Sequence, residues 1–149
     1  MAILTDQVKR QVQDRFTGQL SGPVQLKLYT RPGTGRLILP SGLGCRTCDD
    51  ARQLAEDLQA AAPDLIKLDV IDVSVQEAEV REVPTLTLGV PGEAPRIRWL
   101  GLPAGYEFAT VVDAVERVSS GAHGLSEATI EALGRLTEPV DVMIFATPT

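Results

Sequence analysis

Cys45 and Cys48 are the only two cysteines in the chain, and their spacing is its plainest chemical signal. Gly44 precedes them, and an apolar-periodic run begins just after them, so the pair falls at the start of a helix. A thiolate there is favoured by unpaired backbone N–H groups and by the positive end of the helix dipole. The first cysteine, the more exposed of such a pair, suits attack on a disulfide. The second, one turn in, suits attack on the resulting mixed disulfide, which releases the partner. Cys45 is therefore the candidate nucleophile and Cys48 the candidate resolving thiol. Arg46 adds positive charge beside Cys45, while Asp49 and Asp50 oppose it. Two other readings stay open: a pair of inert buried thiols, or ligands of a metal shared between two chains. One histidine in the whole chain is too few to complete a four-ligand Cys/His zinc site within a monomer.

A second candidate lies about 35 residues beyond the cysteines, where Val83-Pro84-Thr85 opens a strand with proline. A cis bond at this point would present the backbone of Val83 to a docking peptide or thiol. Arg46, Thr47, Val83, Pro84 and Thr85 are accordingly the candidate substrate-binding residues.

The elements that must position these residues follow from periodicity. Thr5 to Leu20 reads as a helix capped by Thr5, with Val8, Val12 and Phe16 on one face. Val24 to Thr30 alternates as a strand. The 14-residue stretch from Arg31 to Gly44 holds four glycines and two prolines around Leu37-Ile38-Leu39, a long connection of the kind that often carries function. After the cysteines, Ala51, Leu54, Ala55, Leu58 and Ala62 form a helical stripe ended by Pro63. Leu65 to Ile71 is a second strand and Ser74 to Glu82 a short, poorly formed helix. Pro84 to Val90 and Arg96 to Leu100 are strands joined as a hairpin through Pro91-Gly92. A third long helix runs from Tyr106 to Val118. This order gives an α/β fold in which the first two strands are parallel through a right-handed crossover.

The tail repeats the head. A helix over Leu125–Leu136, capped by Ser126, precedes Pro139-Val140-Asp141-Val142-Met143-Ile144-Phe145-Ala146-Thr147-Pro148. That run matches Pro23-Val24-Gln25-Leu26-Lys27-Leu28-Tyr29-Thr30-Arg31-Pro32 at an offset of 116 residues. Because helix and strand recur together, the tail reads as the opening of a second copy. Residues 1–122 then form one unit and 123–149 the first helix and strand of an incomplete second one. An apolar strand at 140–146 without sheet partners should pair with the first unit, exchange between chains in self-association, or stay disordered.

Composition narrows the function classes. The 149 residues are 44% hydrophobic, 23% charged and 4% aromatic, which is globular composition with an aliphatic core. Net charge is −6 with no like-charge block, which argues against nucleic acid and anionic membrane as partners. No run approaches the roughly 18 residues of a membrane span, and the opening residues lack a signal-peptide pattern. The expected address is cytoplasmic, where a close cysteine pair is more often catalytic than a structural staple. Nothing in the sequence calls for a cofactor. His123, between Gly121-Ala122 and Gly124, reads as a linker histidine; Trp99 reads as core, with Arg96 and Arg98 toward solvent or a partner.

Taken together, the Cys-x-x-Cys pair, Val83-Pro84, Leu102-Pro103-Ala104-Gly105-Tyr106-Glu107-Phe108 and Leu125-Ser126-Glu127 carry a resemblance. The chain resembles the thioredoxin superfamily, and within it the glutaredoxin-like protein disulfide oxidoreductases built of two fused units. The closing Phe145-Ala146-Thr147-Pro148-Thr149 is similar to the run before the second unit's own cysteine pair. The resemblance implies a thioredoxin-like three-layer sandwich with a central mixed four-stranded sheet and an extra N-terminal helix. It implies that Cys45, Cys48 and a cis Pro84 act as nucleophile, resolver and docking proline. Protein disulfides as substrates, and an upstream reductase as electron donor, are implied in the same way.

Three features depart from the family. The Arg31–Gly44 loop is longer than the family's short link, the second unit lacks a redox pair in this chain, and the first strand has no carboxylate to accept a proton. Lys27 stands on that strand instead, read as an edge or packing residue. Two competing functions follow: a redox-weak module docking a partner through the 31–44 loop and the Pro84 edge, and a glutathione- or cluster-binding glutaredoxin. Only Val83-Pro84 favours the latter, with no glycine pair after the hairpin to seat the tripeptide.

Overall fold

Local cues in the sequence set most of the element boundaries in the computed structural model, which describes residues 2–33, 44–75, 77–80 and 82–146. Helix α1 (Asp6–Gln19) starts at Thr5, whose Oγ1 accepts the Val8 N–H at 3.3 Å. Val12 and Phe16, four apart, are its buried side chains. Strand β1 (Val24–Thr30) buries Val24, Leu26 and Leu28 on one face. Helix α2 (Cys48–Ala61) buries Cys48, Ala51, Leu54, Ala55 and Leu58, and it stops at Ala62 before Pro63. Strands β2 (Ile66–Asp72), β3 (Thr85–Gly89) and β4 (Ile97–Leu100) follow. Helix α3 (Glu107–Ser120) ends on Gly121, whose φ of 69° is the left-handed cap that glycine adopts without strain. Helix α4 (Glu127–Leu133) is capped by Ser126, as its sequence suggests, but buries no side chain.

The four strands form one mixed sheet in the order β2-β1-β3-β4. β1 pairs β2 in parallel, Val24 opposite Ile66 through Thr30 opposite Asp72. β3 lies antiparallel to both β1 and β4, with Leu28 opposite Leu86 and Leu86 opposite Trp99. The α/β class, the mixed four-stranded sheet and the extra N-terminal helix are those the sequence indicated. One apolar core joins Val24, Leu26 and Leu28 of β1 and Leu86 and Leu88 of β3 to the inner faces of α1, α2 and α3. Full burial of each Leu, Val or Phe contributes about 1.5–3 kcal/mol.

Helix α1 packs against both α2 and α3. Lys9 pairs with Asp57 of α2 at 2.9 Å, and Arg15 pairs with Asp113 and Glu116 of α3. The carboxylates of Glu116 and Asp113 hold the Arg15 guanidinium above its usual range. The buried Ser119 closes the loop before β1. Its Oγ accepts the N–H groups of Ser21 and Gly22 at 3.0 Å each and donates to the Gly22 carbonyl at 2.6 Å. A side chain at Gly22 would meet the Ser119 carbonyl at 2.9 Å, so the close approach requires glycine.

Three expectations change. None of the described residues from 74 to 82 is helical; Asp72 instead starts a turn by accepting from the Ser74 N–H and hydroxyl. The tail residues 139–146 are exposed and form no strand, because a strand needs a neighbouring edge and none adjoins them. Lys27 is not an edge residue, since β1 is flanked on both sides. Of the expected hairpin or flap within Arg31–Gly44, residues 34–43 lie outside the described residues.

Candidate functional site

Cys45 and Cys48 are joined by a disulfide, with Cα atoms 5.5 Å apart. Helix α2 begins at Cys48, so Cys45 lies ahead of Thr47, the capping residue, whose carbonyl accepts the Ala51 N–H at 2.9 Å. Thr47 makes no side-chain cap bond. The asymmetry expected within the pair is small: Cys45 is 4% exposed and Cys48 fully buried. Arg46 between them is exposed, and Thr47 is half-buried.

The first turn of α2 meets the C-terminal end of β1. A Cβ built on Gly33 would overlap the Asp49 carboxylate, so Asp49 lies directly over the chain leaving β1. Thr85 opens β3 opposite Tyr29, near that same end of β1. The topology therefore brings the disulfide and Val83-Pro84-Thr85 to one end of the sheet. The Val83–Pro84 peptide bond is cis. Pro84 is buried and its carbonyl accepts the Gly101 N–H at 2.8 Å, while Val83 is half-buried. Thr85 is fully buried, its hydroxyl donating to the Glu82 carbonyl at 2.8 Å. Cys45, Arg46, Thr47 and Cys48 at the start of α2 and Val83, Pro84 and Thr85 at the start of β3 thus lie toward the same end of the sheet.

Sequence reasoning missed three features nearby. The Asp49–Gly33 contact had no pattern to betray it, because it joins residues across the long loop. The Gly101–Pro84 bond follows only from the β3–β4 register. Asp72, at the end of β2, could have been found from Asp72-Val73-Ser74, a sequence that turns on its own side chain. Hydrogen bonds from Ser74 hold its carboxyl below the usual carboxylate range, with Arg52 and Arg31 helping.

The other candidates stay apart from the disulfide. Lys27 lies mid-strand on the face away from α2. Trp99 packs half-buried against the core from β4, while Arg96 and Arg98 are exposed. His123 accepts the Leu125 N–H at its Nδ1, 3.0 Å away, within an exposed linker. No group of three or more His, Cys, Asp or Glu among the described residues could hold a metal ion.

No protein-family model matches the sequence, and no curated protein matches it. Solved structures do. A protein disulfide oxidoreductase from Aeropyrum pernix K1 gives a TM-score of 0.70 at 27% identity, over 89% of this chain and 55% of that one. The chain has a thioredoxin-like fold, similar to that of this oxidoreductase. The AhpF component of the Enterococcus faecalis alkylhydroperoxide reductase, in a cysteine-to-alanine mutant, gives 0.70 at 16% identity, over 89% of this chain and 61% of that one. The NTD_N/C domain of the same reductase gives 0.65 at 15% identity, over 86% and 58%. These two lower identities speak for the thioredoxin-like fold alone. The chain spans between 55% and 61% of the length of these solved chains.

Proposed function

We propose that the chain is a thiol–disulfide oxidoreductase that exchanges disulfides with protein substrates through Cys45 and Cys48. The observation carrying this reading is the Cys45–Cys48 disulfide just ahead of α2, in a thioredoxin-like fold. In the reducing direction, the Cys45 thiolate attacks one sulfur of a substrate disulfide, and the other sulfur leaves as a thiolate and takes a proton. Cys48 then gives up its proton and attacks the Cys45 sulfur of the mixed disulfide, releasing the second substrate thiol. Two electrons pass from the dithiol to the substrate, and an upstream dithiol reductase restores the pair. Run backwards, the same steps oxidise a substrate. The Val83 backbone beside Pro84 serves as the docking edge, with Thr85 behind it and Arg46 and Thr47 facing the incoming chain. Cys45→Ser should reduce turnover in a disulfide-reduction assay to the uncatalysed background, while Cys48→Ser should accumulate a mixed disulfide visible by mass spectrometry. Full activity in Cys45→Ser would sink the assignment.

The burial of Cys45 favours a second reading, a docking module of weak redox activity that binds a partner through the 31–44 loop and the Pro84 edge. Alkylation of the reduced protein separates the two: a Cys45 rate still high below about pH 7 supports the oxidoreductase. We assign 1–122 to one thioredoxin-like unit and 123–149 to the opening of a second, its first helix and a run with a strand's pattern that forms no strand over 139–146. The recurrence of helix and strand pattern, and the exposure of α4 and of 140–146, support that division. No helix among the described residues is long and apolar enough to cross a membrane. A cytoplasmic address rests on the use of two closely spaced cysteines.

A further inference from the structure

We propose that the sheet face turned away from the helices binds an acidic polypeptide segment. Val24, Leu26 and Leu28 face the helical core, so Gln25, Lys27 and Tyr29 stand on the opposite face. On that face the strand registers align Asp69, Lys27, Thr87 and Arg98 in one row across all four strands. Gln25 and Lys67 form the neighbouring pair. Among the described residues no helix packs on this face. The connection from β2 to β3, which could have supplied one, turns at Asp72 instead.

Two observations mark the row as a binding surface. Thr87 is 2% exposed, yet its hydroxyl has no hydrogen-bond partner. Buried hydroxyls are ordinarily paired, so this one invites an acceptor from outside. It lies in a shallow notch lined by Gln25, Lys27, Gly89, Glu93 and Pro95. Moreover, Lys27 is half-buried, and neither it nor Lys67 nor Arg98 makes an ion pair among the described residues. These three cations meet two carboxylates, Glu93 at the rim and Asp69, which already accepts the Gln25 amide at 3.1 Å. The face is therefore net positive on a chain of net charge −6.

Strand spacing spreads the cations over about 14 Å from β2 to β4. That is too wide for one small anion and suits carboxylates spaced along a peptide. One carboxylate would accept from the Thr87 hydroxyl and the Lys27 ammonium, and another would meet Arg98. Nucleic acid would seek the same cations, but Lys27 is half-buried and Thr87 only 2% exposed, a recess that suits a flexible carboxylate side chain better than the phosphates of a rigid duplex. The row is separate from the disulfide, so this surface does not depend on the redox reading.

A labelled oligo-glutamate peptide, titrated into the full chain and followed by fluorescence anisotropy, tests the proposal. Binding is expected at low salt, weakened about tenfold or more when the ionic strength approaches 1 M and the screening length falls to about 3 Å. Arg98→Gln, at an exposed position on the edge strand, and Lys27→Gln with Arg98→Gln should each weaken it. Thr87→Val should also weaken binding while leaving the melting temperature unchanged or higher, since it removes an unpaired buried hydroxyl. Cys45→Ser should bind as the native chain does, which keeps the failure of this proposal distinct from failure of the redox one. No binding at low salt, undiminished binding by the double variant, or equal binding of a double-stranded DNA oligonucleotide would overturn the proposal.

Discussion

Asp72 shows how a side chain can choose the path of the backbone. Its carboxylate accepts from both the N–H and the hydroxyl of Ser74, which bends the chain where a helix was expected. The same bonds favour the ionised form, with Arg52 and Arg31 adding to them, so the carboxyl titrates below its ordinary range. A depressed carboxyl contributes stability that is present above its unfolded titration and lost as pH falls through the folded one. Ser74→Ala removes the largest cause, so the Asp72 titration should move up toward an ordinary carboxylate, as read from carboxyl carbon shifts by NMR. A titration unmoved by Ser74→Ala would return the effect to the Ser74 N–H, which the substitution leaves in place, and to the two arginines. The turn itself is legible in Asp72-Val73-Ser74, where an aspartate can bond two residues on, although the residues that follow have a helix-forming composition. Cys45 and Cys48 were legible from spacing alone, whereas the near-complete burial of Cys45 was not. Burial depends on neighbours that are distant in sequence.

Among the elements, the long ones were read closely because each carries its own periodicity and stop signal. α1 keeps Val12 and Phe16 four apart, and α3 ends at Gly121 within a few residues of its expected limit. The segment 139–146 fails for a different reason. Its pattern copies β1, but β1 is a strand because β2 and β3 flank it, and pattern cannot supply a neighbour. The clamp between α3 and the loop before β1 was likewise invisible, since Ser119 and Gly22 are 97 residues apart. Ser119→Ala would strand the N–H groups of Ser21 and Gly22 in a part-buried place. The expected cost is about 1–3 kcal/mol, seen as a lower urea midpoint with an unchanged slope. A changed slope would mean that the substitution altered the compactness of the ensemble instead.

For the molecule as a whole, the exposed apolar surface is concentrated at one end of the chain. Ile144 is 87% exposed and Phe145 92%, with Val140, Val142 and Met143 beside them. Contiguous apolar surface of this kind promotes association. Sedimentation velocity on residues 1–149 should show concentration-dependent self-association, which Ile144→Lys with Phe145→Lys should reduce. A native chain that stays monomeric across the concentration series would contradict the role given to 140–146. The strand order has a further consequence, this time for synthesis. β1 sits at the centre of the sheet, yet its two neighbours arrive only at residues 66–72 and 85–89. A growing chain must therefore hold this central strand unpaired until most of the first unit has been made. During that interval β1 is exposed to the wrong neighbours, the 140–146 run of a finished copy among them.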